Sequence, residues 1–290
     1  MKKILIAGAT GYLGHFVTQA FKKNNYYTKV LVRNPEKFRK EKINADEVIS
    51  AEITQPETLV NVCNDVDTVF SSVGITRQKE GFTYMDVDFQ GNKNLLEEAV
   101  KSKVKKFIYV SVLNGDRFKT LKICAAKEKF VEVLKKSGLD HTVIRPNGYF
   151  SDMGEYLNMA KRGSVYIIGN GENRINPISG EDLASFCVEN IDTDEKEINV
   201  GGPHVFNHNE IAALAFSVCN KPPVIRHIPY WLVKCSLGIM RTFTSVKVYG
   251  PFEFAATILS NDMIAPAYGN HKLRDYFESI RYSIESETEK

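Results

Sequence analysis

Between residues 2 and 145, short apolar runs alternate with longer stretches whose apolar positions recur every three or four residues. KILIAG, TKVLVR, DEVISA, DTVFSSVG, KFIYVSVL and HTVIRP form the first kind; YLGHFVTQAFKKN, YMDVDFQGNKNLLEEAVKS and KEKFVEVLKKSG form the second. Apolar runs of this length predict strands buried on both faces, and the periodic segments between them predict the helices that cover those faces. In NKNLLEEAV, for example, Leu95, Leu96, Ala99 and Val100 fall on one helical face. Strand and helix alternating in this way make an α/β fold with a doubly wound parallel sheet. Past about residue 150 the regularity decays, and GNGENRINPISGEDLA, GGPHVFNHNEIAALAF and KPPVIRHIPYWLVK mix turns, short strands and helices. The expected organisation is a core over residues 1–150 and a smaller C-terminal substrate or partner region over 151–290, sharing one interface with the core.

A chain of 290 residues that is 43% apolar buries a large core. Its net charge of +3 comes from 38 basic and 35 acidic side chains. That balance argues for no nucleic-acid partner and leaves peripheral membrane contact open but unindicated. The densest basic run, KSKVKK at 101 to 106, reads as a solvated helix end entering a strand. The five cysteines are odd in number and far apart, with no C-x-x-C spacing, so they predict reduced, buried thiols in a cytosol rather than disulfides or a zinc site. The start, MKKILIAGATGYLG, resembles a signal peptide for six residues before glycines and polar residues break it. YWLVKCSLGIM is interrupted by Lys234 and is too short for a membrane span, so a cytoplasmic globular protein is expected.

In ILIAGATGYLGHFV, Gly8, Gly11 and Gly14 stand three residues apart, after a predicted strand and at the start of a predicted helix. Glycine answers three demands there: a sharp turn off the strand, access of a pyrophosphate to backbone N–H groups, and close approach of the helix to the sheet. Partial positive charge at the helix N-terminus favours the phosphates. The stretch therefore predicts a dinucleotide site. The end of the second predicted strand chooses the cofactor: an acid there would bond the ribose 2′-hydroxyl of NAD, whereas Arg33, with Lys37 on the same turn, suits a 2′-phosphate. NADP(H) is the expected cofactor, the alternative being that Arg33 is a surface arginine near Glu36.

These residues, with FIYVSV, VIRPNGYF and INPISGEDLA, resemble the atypical short-chain dehydrogenase/reductases, a group that includes NmrA-like regulators, isoflavone-reductase-like enzymes and divinyl-chlorophyllide-reductase-like proteins. The resemblance covers roughly residues 2 to 190 and implies a Rossmann-type sheet with a C-terminal substrate region. It implies that Thr10 and Tyr12 line the phosphate turn, that Ser71, Ser72, Val73 and Gly74 lie along the cofactor, and that the loop beginning at Pro146 flanks the nicotinamide. Glu52 stands where relatives usually have an aspartate near the adenine. In the family's enzymes a serine or threonine after the fifth strand orients the carbonyl, a tyrosine moves the proton, and a lysine four residues later lowers the tyrosine's pKa and binds the ribose. Ser111 and Lys127 match this pattern, but the tyrosine's place holds Ile123, which has no proton to give.

Three readings follow. In the first, hydride passes to an apolar small molecule (an activated alkene, quinone or carbonyl) while the proton comes from water or another side chain, Tyr149 being the candidate. In the second, the protein binds NADP(H) without chemistry, as a redox sensor or an assembly factor with a protein partner. In the third, Lys127 is an ordinary helix-surface lysine. Cys124 lies beside the missing acid and reads as a packed thiol. His204 and His208 lack the setting of a metal site, none is expected, and Asn207 and Asn209 read as a helix start. In GEDLA, Ser179 or Gly180 reads as a helix cap. Trp231, Phe243, Tyr249, Phe252, Phe254 and Tyr268 are expected mostly in the core, the rest supplying a wall for a bulky apolar substrate or a protein partner; the same enrichment suits a surface that docks on a membrane or another subunit.

Overall fold

The computed structural model describes the whole chain except residues 42, 77, 79, 80, 289 and 290, with 282–288 described by backbone alone. Two compact units emerge, Met1–Arg145 with Leu183–Asn199, and Pro146–Asp182 with Val200–Lys290. The first unit thus takes back a segment from beyond residue 150. Strands β1 (Lys3–Ala7), β2 (Tyr27–Val32), β3 (Glu47–Ser50), β4 (Thr68–Ser71), β5 (Lys106–Val110) and β6 (Asp140–Pro146) run in one sheet, and the returning segment supplies its edge. With β7 (Val165–Ile168), β8 (Arg174–Ile175) and β9 (Glu197–Val200) following in the chain, the sheet order is β3-β2-β1-β4-β5-β6-β9. β9 joins β6 through bonds such as Val143 N–H to the Lys196 carbonyl, at 2.8 Å.

The apolar runs form strands because the sheet is covered on both sides. Leu5, Val69, Phe107 and Val143 meet Leu95 and Ala99 of α3 (Asn92–Lys101) and Phe130 and Leu134 of α4 (Lys122–Lys135) on one face. The alternate residues Ile4, Ile6, Val30 and Phe70 are equally buried, and Phe21 of α1 (Tyr12–Lys23) sets its ring edge-on to Phe70. β1 pairs in parallel with β2 on one side and β4 on the other, Ile6 lying opposite both Val30 and Phe70. Because β2 and β4 leave β1 in opposite directions, the strand order reverses there, and a crevice opens at the carboxyl ends of β1 and β4. α2 (Pro35–Lys40) follows β2, capped by Asn34.

The second unit has its own core. α5 (Phe150–Lys161), α7 (His208–Val218) and α10 (Leu273–Thr288) pack together around Leu157, Ile211, Phe216 and Phe277. The remaining elements are α6 (Gly180–Glu189), which bridges the two units in sequence, β10 (Phe206–Asn207), β11 (Ile225–Ile228), α8 (Tyr230–Phe243) and α9 (Val246–Leu259). Asn207 caps α7 and Ser179 caps α6, its hydroxyl accepting from the Asp182 N–H at 2.9 Å, as the sequence predicts. Buried Asn176 is a hub: its amide bonds the carbonyls of Gly202 and Ala265, and its oxygen accepts from Asn147 and the Ala265 N–H. The late aromatics correct an expectation. None of Trp231, Phe243, Tyr249, Phe252, Phe254 and Tyr268 is buried, because smaller residues such as Ala212 and Ala215, with Phe216 and Phe277, fill this core.

Asp182 also ties down the chain leading to α10, accepting from the N–H groups of Asn270 and His271. The His271 ring stands between two carboxylates, Nδ1 2.7 Å from Asp182 and Nε2 2.9 Å from Glu181. The hydrogen bond to Asp182 raises its pKa above the usual 6.5. A raised histidine contributes its full stability below 6.5 and loses it as pH climbs through the folded-state value. His271→Gln should therefore cost about 0.2–1 kcal/mol in mildly acidic solution, as expected of a solvent-screened pair, and progressively less at alkaline pH. Thermal melts across pH check this, and a cost that does not change with pH would contradict it.

Candidate cofactor site

The turn after β1 is built from backbone. Gly8 has φ +89°, a left-handed value that side chains disfavour, and a Cβ there would stand 2.8 Å from Ser72 Oγ. Gly14 cannot carry a side chain either, since its Cβ would strike the Gly8 carbonyl oxygen and the Ala9 Cα. The Gly11 N–H bonds the Gly8 carbonyl at 2.9 Å, closing the turn, and the Thr18 hydroxyl bonds the Gly14 carbonyl at 2.8 Å. Helix α1 then starts at Tyr12 with Gly11 as N-cap; no side chain caps it and its first turn has no acid. Its opening N–H groups and the positive end of its dipole are therefore set for an anion. Thr10 and Tyr12 stand on this turn and help line a hollow of about 390 Å³ with His15 and Glu41, whose side chains meet at 2.8 Å.

The segment after β4 lies against the turn. Ser71 is buried and donates to Asn92 at 2.6 Å, while the Asn92 amide bonds the carbonyls of Val73, Val87 and Asp88. A Cβ on Gly74 would stand 2.5 Å from Asp88 Oδ1 and 2.6 Å from Lys127 Nζ. Lys127 of α4 is thus brought to the 71–74 segment. Its ammonium lies 2.9 Å from Asp88, which is wholly buried, and 5.6 Å from the Tyr109 ring centroid. Burial raises the Asp88 carboxyl above the usual range against the pull of Lys127, and burial pushes the Tyr109 phenol up to about 12.

Asp88 was missed by the sequence reading, although a signal existed. It stands on a π-helical turn, Met85–Gly91, leading into α3, and shares the buried face of Asn92, Leu95 and Ala99. Ser111 has a different setting. Its buried hydroxyl donates to Glu128 at 3.0 Å and lies 3.4 Å from the Arg145 guanidinium, which holds Glu128 with two bonds of 2.6 and 2.8 Å and Glu197 with another of 2.8 Å. Burial works against the charge on Arg145, but the hydrogen bonds to Glu128 and Glu197 outweigh it and raise its pKa.

Arg33 is exposed at the end of β2, its Nε 3.7 Å from Glu52; Lys37 is exposed on α2, where its N–H meets Asn34. Ile123 is buried in α4, and Cys124 beside it is a fully buried thiol pushed up to about 12 by desolvation. Pro146 and Tyr149 belong to the second unit, Pro146 buried and Tyr149 at the start of α5 with its N–H on Asp152. His208 is buried against the Tyr156 hydroxyl at 2.9 Å, and no metal-binding group of side chains occurs among the described residues. No helix among them is long and apolar enough to cross a membrane.

A family model described as NAD(P)H-binding matches residues 8–194. Among relatives, the photosystem II assembly factor Ycf39 of Cyanophora paradoxa is 25% identical over 230 residues, covering 78% of this chain and 71% of that protein. The chloroplastic divinyl chlorophyllide a 8-vinyl-reductase of Cucumis sativus is 23% identical over an alignment of 319 residues, covering 96% of this chain and 75% of that one. Among solved structures, the NADPH-dependent quinone oxidoreductase QOR2 of Escherichia coli, complexed with NADPH, shares the fold with a TM-score of 0.71 at 17% identity, over 96% of this chain and 99% of that one.

The Asp88–Lys127 pair makes a quantitative prediction. Lys127→Met strands a buried carboxylate and should destabilise the protein by about 3 kcal/mol at neutral pH, with a smaller loss in acid, where Asp88 is protonated. Adding Asp88→Asn should restore most of the loss. Denaturant titration of both variants tests this, and a double variant no more stable than the single one would refute the coupling.

Proposed function

The chain belongs to the NAD(P)H-binding family, and from that premise we propose that it is an NADPH-dependent oxidoreductase acting on an apolar small molecule. What carries the reading is the meeting of Lys127 with Gly74 and Asp88, next to an uncapped glycine turn. The fit to a dinucleotide rests on that turn, whose packing at residues 8 and 14 leaves no room for side chains and whose helix start carries no side-chain cap. Gly8, Thr10, Gly11, Tyr12 and Gly14 would hold the pyrophosphate, Arg33 and Lys37 the 2′-phosphate, and Ser72, Gly74 and Lys127 the nicotinamide half. When bound, the reduced nicotinamide supplies a hydride.

The chain's own groups narrow the acceptor. Lys127, anchored by Asp88, presents its ammonium to ribose hydroxyls as a hydrogen-bond donor. Ile123 has no proton to give, so the proton is left to another side chain or to water. To orient a carbonyl, the Ser111 hydroxyl must give up its bond to Glu128. A quinone or activated alkene needs less from a positioned acid, so these acceptors fit better than a ketone. Ile123 also supports a second reading, a non-catalytic NADPH-binding assembly factor, in line with the assembly factors among the relatives.

NADPH should bind more tightly than NADH, and Arg33→Ala should weaken NADPH by about 1–3 kcal/mol while sparing NADH, since only the 2′-phosphate loses a charge-assisted bond. Fluorescence titration of both cofactors measures this, and equal losses would make Arg33 structural. Turnover is read by nicotinamide absorbance with a panel of quinones, enones and aldehydes. Oxidation of NADPH by quinones or enones supports the oxidoreductase; tight binding with no acceptor reduced supports the assembly factor.

A further inference from the structure

Helix α8 turns an apolar side outward. Its half-buried residues Val233, Leu237 and Met240 recur at helical spacing and mark the inward face. Across the helix, Trp231, Leu232, Ile239 and Phe243 fall within about a third of its circumference at 3.6 residues per turn. They are 64%, 43%, 61% and 81% exposed, and α9 adds Phe252 at 60%. Aromatic and aliphatic side chains gathered on one solvent-facing stripe mark a docking surface, not the normal scatter of exposed apolar residues.

Charge identifies the occupant. Between residues 221 and 260 the chain carries the cations Lys221, Arg226, Lys234, Arg241 and Lys247 against the single acid Glu253, which is buried and paired with Arg241. Lys234 lies along one flank of the apolar stripe, its ammonium 4.8 Å from the Tyr230 ring centroid, with Arg241, already paired with Glu253, seven residues on. A second copy meeting this face about a two-fold axis would bring those like charges together. An anionic lipid surface offers hydrocarbon to the stripe and phosphate to the cations. With 14 residues, α8 is about 21 Å long, too short to span a bilayer core and suited to lying in its interface. We propose that α8, with the exposed edge of α9, docks the protein on an anionic lipid surface; this does not depend on the catalytic reading.

Trp231 is the sole tryptophan of the chain, so its emission reports on this face alone. The full-length protein is mixed with vesicles of phosphatidylcholine, or of phosphatidylcholine and phosphatidylglycerol in equal parts. A blue shift of Trp231 emission and co-sedimentation are expected with the anionic vesicles only, weakened at least tenfold by high salt. Phe243→Glu and Lys234→Glu should each weaken binding at least tenfold with unchanged melting temperature, since both side chains are exposed. Equal binding to neutral vesicles, or none to either, overturns the proposal. So does a dimer in analytical ultracentrifugation that blue-shifts Trp231 without lipid, which would make a second copy the occupant.

Discussion

Helix α1 can rest on the turn that precedes it only because residue 14 has no side chain to collide with the Gly8 carbonyl. Much else depends on that contact. It holds the helix N-terminus at the end of β1, where uncapped N–H groups and the helix dipole point at one spot. It leaves Gly8 free to take a left-handed φ and press against Ser72, which links the turn to the end of β4 across the place where strand order reverses. The dinucleotide site proposed here is therefore a matter of backbone, and the side chains around it would adjust which dinucleotide and what chemistry.

The side-chain chemistry is organised by buried charge. Asp88 is the wholly buried acid of the pair, and Lys127 is the cation that makes its ionisation tolerable. The pair sits against Gly74, so the ammonium is held at the strand end without the tyrosine that usually shares its face. A second buried group, Glu128 with Arg145 and Glu197, consumes the hydroxyl of Ser111. Two neighbouring residues of α4, Lys127 and Glu128, thus point into different networks, one beside the cofactor turn and one under the end of β6. The proposed site is thus rich in groups that would hold a cofactor and poor in proton donors.

The parallel sheet, its covering helices, the glycine turn and the caps Asn207 and Ser179 were legible in the sequence because each rests on local chemistry: apolar periodicity, turn geometry, or a side chain bonding its own helix. What was not legible required contacts between distant residues. Asp88 meets Lys127 across 39 positions of sequence, and its place on the helical face of Asn92, Leu95 and Ala99 does not name that partner. The return of residues 183–199 to the sheet edge depends on β9 finding β6. Trp231 and Phe243 read mostly as core in the sequence, because an apolar side chain does not say what it meets.

A crystal structure of the protein with NADP+ tests the central claim most directly. The pyrophosphate should lie on the N–H groups that open α1, the 2′-phosphate beside Arg33, and the Lys127 ammonium within about 3 Å of the nicotinamide ribose hydroxyls. A dinucleotide bound away from the 8–14 turn, or one whose ribose lies out of reach of Lys127, would contradict it.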